Sequence, residues 1–261
     1  MKKFINVVSA ELIKVIKSKI FYGSIIFMLF VSFIIGILFF IVKNPELSKA
    51  SVILRAKANI IESADWKTFY DIMNLMIAII GFLGFSVITT WTFGREYSDK
   101  TIKDIVSLPV SRSCIVIAKH IVIILWCIFL ALILYLFSFI AAYFVGLNNF
   151  KTEIILSGFK TYILVVMMNI ILVPVISFLS SYGRGYFLAL GFIFLILLLT
   201  NFAINISENA KYLPWAIPLI YAGSVLKEGI SINFISIVIL LITCILGFIS
   251  TIYFWKYGDQ Y

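Results

Sequence analysis

Few side chains in this sequence are equipped for chemistry, and most of them crowd into one stretch, REYSDKTIKDIVSLPVSR, residues 95–112. Covalent and metal chemistry lack parts. The single histidine, His120, follows Lys119 at a span boundary with no carboxylate beside it in sequence, so it reads as a headgroup-level residue. It supports neither HExxH nor a Ser-His-Asp arrangement. No GxxxxGK[ST] loop is present, and SGFKT at 157–161 lacks its spacing. Cys114, Cys127 and Cys244 form no CxxC pair and read as buried thiols. Asn205-Ile-Ser207 fits a glycosylation sequon, a pattern short enough to recur by accident. The 95–112 stretch suits non-covalent docking. Ser98 or Asp99 can cap a helix start. Lys100 to Ser107 then make about two turns. Ile102, Ile105 and Val106 fall on one stripe, and Leu108-Pro109 stops the helix. The result is an apolar ridge with a charged rim. It serves either as a docking element or as a solvated connector whose stripe rests on a membrane.

The elements that must hold this stretch are membrane spans. The chain is 63% hydrophobic and 13% charged, whereas a soluble domain is about half apolar and about a quarter charged. Charge-free runs cover 20–42, 72–94, 121–150, 161–183, 185–207 and 229–255, each of at least 23 residues. A helix of that length reaches about 35 Å, enough for a hydrocarbon core of about 30 Å. The expected fold is therefore all-α and integral to the membrane, a single domain over 1–261. Its six spans are expected at about 20–42, 72–94, 121–147, 161–182, 185–207 and 229–255. Lys and Arg are biased toward the side that holds both termini, so both ends are expected in the cytoplasm. The net charge of +9 then belongs to span ends and anionic lipid headgroups, and no nucleic-acid motif accompanies it.

Other segments refine this picture. Residues 2–19 place Phe4, Val8, Leu12 and Ile16 on one stripe. They read as a helix in the inner interface, or as a basic leader without fixed structure. The first apolar run is a full span, so no cleavable signal peptide is expected. LSKASVILRAKANIIESADW, in the 43–71 loop, suits a short amphipathic helix. Pro174 should kink the fourth span, and SYGRG at 181–185 is a turn in which Gly183 and Gly185 permit unusual backbone angles. Residues 208–228 are apolar from Tyr212 to Leu226 and broken by Pro214 and Pro218. They suit a re-entrant segment, or a loop lying flat on the outer surface on Trp215 and Tyr221. No ionisable residue falls within the charge-free spans, so uphill transport would draw its energy from outside the membrane.

EYSDKTIKDIVSLPVSRSCIVIAK, 96–119, resembles the cytoplasmic loop of ABC type 2 exporter permeases. That loop typically carries Glu after the second span, Gly-Thr, a leucine-rich turn, Pro-Val-Ser-Arg and a Lys before the third span. Glu96, Thr101, Leu108, Pro109 to Arg112 and Lys119 match, while Lys100 stands where glycine is common. Within the family the layout is most similar to small permeases of bacitracin-type and lantibiotic-immunity exporters. The resemblance implies that the loop over 95–119 docks a separate cytoplasmic ABC ATPase through Glu96, Tyr97, Asp99, Thr101, Ile102, Ile105, Val106, Leu108, Pro109 and Arg112. It implies two ATPase copies, with ATP and Mg held there and no cofactor on this chain. It also implies a second permease subunit, as homodimer or heterodimer, in a bacterial plasma membrane. Asn74, Thr89, Thr90, Asn201 and Asn205 are the polar candidates for the path, and Pro214, Trp215 and Pro218 for an outer gate. Two readings compete with an exporter of amphipathic or peptide antibiotics: a non-transporting scaffold or sensor that recruits a partner, and a membrane enzyme, which lacks a polar site.

Overall fold

The computed structural model describes residues 2–44, 63–106, 109–223 and 232–258. Leu108, most of the segment read as an amphipathic helix after the first span, and 224–228 lie outside the described residues. Among the described residues, six helices are long and apolar enough to cross a membrane: α2 (Lys19–Lys43), α3 (Trp66–Ser98), α5 (Arg112–Val145), α6 (Thr152–Tyr182), α7 (Phe187–Ile206) and α9 (Phe234–Tyr257). Shorter pieces join them: α1 (Lys2–Ile16), α4 (Ile102–Val106), a 3₁₀ turn at Glu208–Tyr212 and α8 (Ile217–Gly223). The chain is a multi-pass membrane protein.

The helices overrun the charge-free runs that announce them. Helix α3 has 33 residues, about 50 Å of helix against about 30 Å of hydrocarbon. Its ends therefore carry Asp71 at one side and Arg95 and Glu96 at the other without leaving the helix. Caps set the boundaries. Ser18 accepts a bond from the Phe21 N–H to open α2, Asp65 from Thr68 to open α3, and Ser111 from Cys114 to open α5. Lys43 donates to the carbonyls of Val145 at 2.6 Å and Gly146 at 2.5 Å, closing the α5 C-terminus. In the 181–185 turn Arg184 is left-handed, at φ 49°, and Gly185 has a φ of 159°, while Gly183 keeps an ordinary φ of −73°.

Helix α6 is the hub, packing on α9, α3 and α8. Helix α2 runs along α5, and α1 folds back onto the start of α5. Small residues and hydroxyls make the seams, as expected where lipid supplies no hydrophobic drive between helices. Ser32 donates to the Leu134 carbonyl at 3.3 Å, and Asn169 to the Ile77 carbonyl at 2.8 Å. The latter carbonyl belongs to a π-helical turn, Ile77–Gly81, inside α3. Helix α6 continues through Pro174, and there α9 comes closest. A Cβ on Gly247 would lie 2.6 Å from the Val175 nitrogen and 2.8 Å from the Pro174 carbonyl carbon. His120, expected at headgroup level, is buried within the bundle instead. Its Nε2 meets Ser177 Oγ at 3.0 Å, and Ser177 meets Thr251 Oγ1 at 3.0 Å, so it is one of the bonds holding α5, α6 and α9 together.

The Gly247 contact sets the first test. Gly247→Ala is expected to destabilise the chain by about 1–3 kcal/mol, the usual range for overpacking. Gly191→Ala, with open space around it, should leave stability nearly unchanged. Unfolding temperatures in one detergent decide it; equal temperatures for the two variants would contradict the packing described.

Candidate functional site

The 95–112 stretch divides differently from its sequence pattern. Helix α3 carries on to Ser98, and Asp99 is its C-cap, donating its N–H to the Arg95 carbonyl rather than starting the next helix. Asp99 and Arg95 pair at 3.4 Å. Lys100 then turns the chain at φ 57°. This left-handed conformation favours glycine, which accounts for the glycine common at this point in the permease loop. Helix α4 is short, Ile102–Val106. Its stripe points inward: Ile102 and Ile105 are buried in the main core, while Lys103 and Asp104 are exposed. The ridge therefore fastens α4 to the bundle, and the surface left to a partner is the charged rim. Pro-Val-Ser-Arg has structural duties too. Ser111 caps α5, and Arg112 donates to the Trp255 carbonyl at 3.2 Å and the Lys256 carbonyl at 3.4 Å, closing the end of α9.

Beneath α4 lies a buried cluster of charges. Lys119, on α5, is fully buried and donates to Glu96 Oε1 at 2.7 Å and to Glu11 Oε2 at 2.8 Å. Lys14 reaches Glu11 at 2.8 Å and Glu96 at 3.3 Å. Thr101 donates to the other Glu96 oxygen at 2.7 Å, and Lys119 also reaches the Thr92 carbonyl at 3.3 Å. One ammonium thus joins α1, α3 and α5, and Thr101 adds the approach to α4. Burial alone would push the Glu11 carboxyl up, but Lys119 and Lys14 outweigh it and hold the group below its ordinary value. Burial likewise disfavours the Lys14 cation, yet Glu11 and Glu96 hold it above its ordinary value. Next to the cluster a cavity of about 360 Å³ opens between α1 and the α4–α5 turn, lined by Val7, Glu11, Lys14, Ile105, Pro109 and Ile115.

Three members of this cluster, Glu11, Lys14 and Lys119, stand outside the docking residues of the loop. Helix α1 buries Glu11 and Val15, with Val7, Val8 and Leu12 partly buried, and leaves Ile5, Ile13 and Ile16 exposed. The face against the bundle is therefore rotated from the Phe4–Ile16 stripe and centred on a carboxylate. The signal available was the i, i+3 pair Glu11 and Lys14 in an otherwise acid-free helix. Asp71, Glu96 and Lys119 are buried within the long helices although they lie just outside the charge-free runs, because the helices extend past the runs.

The remaining candidates separate into groups. Asn74, Thr89 and Thr90 are buried on α3. Thr89 donates to the Phe85 carbonyl at 2.7 Å, while Asn74 Oδ1 and Thr90 Oγ1 have no partner among the described residues. Asn201 and Asn205 are exposed on α7 and donate to the Leu197 and Asn201 carbonyls of their own helix. The structure does not bring these two sets to one surface within this chain. Tyr97 is half-buried with its ring 6.4 Å from that of Trp255. Pro218 is buried in α8, which packs on α6 and the first part of α3. Trp215 stacks edge-on against Phe192 at 5.2 Å, and Pro214 is half-buried beside it.

Residues 7–201 match the model of the ABC-2 family transporter proteins. The chain belongs to the ABC-2 transporter family. A curated relative is the bacitracin transport permease protein BCRB of Bacillus licheniformis, 26% identical over 195 residues, or 74% of this chain and 92% of the relative. The matched region spans α1 through most of α7, so in this ABC-2 protein it contains every member of the charge cluster.

The cluster gives a graded expectation. Lys119→Met leaves two buried carboxylates facing one half-exposed lysine and should cost about 3–5 kcal/mol. Lys14→Met removes a cation whose side chain is 35% exposed and should cost about 1 kcal/mol or less. Thermal unfolding in lipid nanodiscs measures both, and similar losses for the two variants would refute the assigned geometry.

Proposed function

We propose that the chain is the membrane-spanning permease subunit of an ATP-driven exporter, with both termini cytoplasmic. The observation that carries this reading is the buried cluster in an ABC-2 chain. It joins the loop after α3 to the two helices flanking that loop and to α1. A push on α4 is thereby delivered to α3 and α5 together, as rigid elements move better than loops transmit. The partner is a cytoplasmic ABC ATPase, two copies of which hold ATP and Mg. It meets the charged rim of Asp99, Lys103 and Asp104, with exposed Pro109 beside it. Helix α1 lies in the inner interface with Ile5, Ile13 and Ile16 toward lipid, a placement their exposure supports.

A second permease copy, identical or related, covers α7. Exposed Asn201 and Asn205 would be costly against lipid, which favours a protein or path surface there. The 208–223 segment, with Pro214, Trp215 and Pro218, forms the outer, re-entrant gate. The cargo is a peptide antibiotic or similar amphipathic compound, a class suggested by the bacitracin permease relative and extending to lantibiotics.

ATP turnover by the partner ATPase in nanodiscs tests this reading. The chain is expected to change turnover, and bacitracin to stimulate it. Charge reversal at the exposed rim, Lys103→Glu with Asp104→Lys, should abolish both effects while the variant stays folded. Unchanged turnover with and without the chain would contradict the proposal.

A further inference from the structure

A second polar cavity lies at the opposite end of the bundle from the charge cluster, between the start of α3 and the start of α6. It has a volume of about 240 Å³ and is lined by Tyr70, Asp71, Asn74, Ile154, Ser157 and Gly158, with Lys67 and Glu153 at its rim. Gly158 is required there: a Cβ would lie 2.2 Å from the Tyr70 ring. The Tyr70 hydroxyl is tied to that of Tyr135 at 3.0 Å, so this wall is fixed.

Two polar groups in the cavity, the Asp71 carboxylate and the Asn74 Oδ1, lack a direct partner among the described residues, and Lys67 acts on Asp71 only through space. Asp71 is 4% exposed and Asn74 is 1% exposed. Among the described residues no hydrogen bond or ion pair reaches the Asp71 carboxylate, and the Asn74 Oδ1 accepts none. Elsewhere the fold satisfies its buried charges closely, as at Lys119. A carboxylate this enclosed, with no direct partner, is expensive and suits a cationic guest.

We propose that this cavity binds a primary ammonium group carried on an apolar chain. An ammonium presents three N–H donors and no acceptor. The cavity offers the complement in the Asp71 carboxylate, the Asn74 oxygen and the Ser157 hydroxyl. Charge agrees as well: the lining carries the carboxylates of Asp71 and Glu153 against the single cation Lys67, leaving one net negative charge for one positive guest. The Tyr70 ring and Ile154 give the guest's hydrocarbon an apolar wall. Among the described residues no group of three or more His, Cys, Asp or Glu side chains gathers here to hold a divalent metal. The guest is either an aminophospholipid headgroup or a free amphiphilic amine, and the chemistry is shared. This inference concerns binding by the chain itself and does not rest on export or on an ATPase.

The test uses the full chain in nanodiscs of phosphatidylcholine and phosphatidylglycerol at pH 7, with n-octylamine as probe. Octylamine should raise the unfolding temperature. Octanol, which lacks the charge, and octyltrimethylammonium, which lacks N–H donors, should not. Asp71→Asn should weaken octylamine binding at least tenfold. Ser157→Phe, an exposed change at the cavity mouth, should do the same without touching the buried carboxylate, and it carries the test if Asp71→Asn fails to fold. Adding phosphatidylethanolamine to the discs separates the sources. A rightward shift of the octylamine curve assigns the site to lipid headgroups, and no shift assigns it to a free amine. Equal octylamine affinity in wild type and both variants, or Asp71-dependent stabilisation by calcium instead of amine, would overturn the proposal.

Discussion

A fully buried lysine shared by two carboxylates organises the end of this protein that carries its termini. Lys119 cannot be solvated where it lies, and neither can Glu11 or Glu96. Each charge is tolerable only while the others stay within hydrogen-bond reach. Helices α1, α3 and α5 are therefore held together by a condition stricter than apolar contact, which survives small slides. The short α4 inherits this constraint through Thr101 and through Ile102 and Ile105 in the core. A loop of a few residues thus behaves as a fixed part of three long helices, which is what transmission of movement requires.

The rest of the bundle is held by weaker but numerous devices. Helix seams close where side chains are small, as at Gly247 against Pro174 and Val175. Hydroxyls and amides reach across to backbone carbonyls, as Ser32, Asn169 and Ser180 do. Helix ends are closed by cations from neighbours, Lys43 on α5 and Arg112 on α9. These contacts leave α7 comparatively open, with Phe194, Leu198 and Phe202 exposed beside the two asparagines. An apolar helix with a polar stripe and few neighbours is what a partner subunit or lipid completes.

Much of this was legible in the sequence. The six spans followed from charge-free runs, because the cost of charge in hydrocarbon is local and large. The permease loop was legible through Glu96, Pro109 to Arg112 and Lys119. The uses of those residues were not. A stripe such as Ile102 and Ile105 shows that a face is apolar without showing whether it faces a partner or its own core. Helix α1 misled the reading because its packed face is centred on Glu11, whose burial depends on Lys119, 108 positions away. Lys119 and His120 sat at the edge of an apolar run, and only the third dimension shows that α5 begins earlier and buries both. Lys100 departs from the family's glycine, and its φ of 57° shows why glycine suits the position: the backbone there is left-handed.

The most direct test of the central claim is amide hydrogen exchange across α1 in wild type and in Glu96→Gln, compared in nanodiscs. Residue 96 is remote in sequence from α1 and touches it through Lys14 and, by way of Lys119, Glu11. If the cluster governs this end of the fold, the substitution will speed exchange in Val7 to Val15 as well as around Thr101. Faster exchange confined to residues near 96–101, with α1 unchanged, would mean that the helices are joined by apolar packing alone and that the shared lysine is incidental.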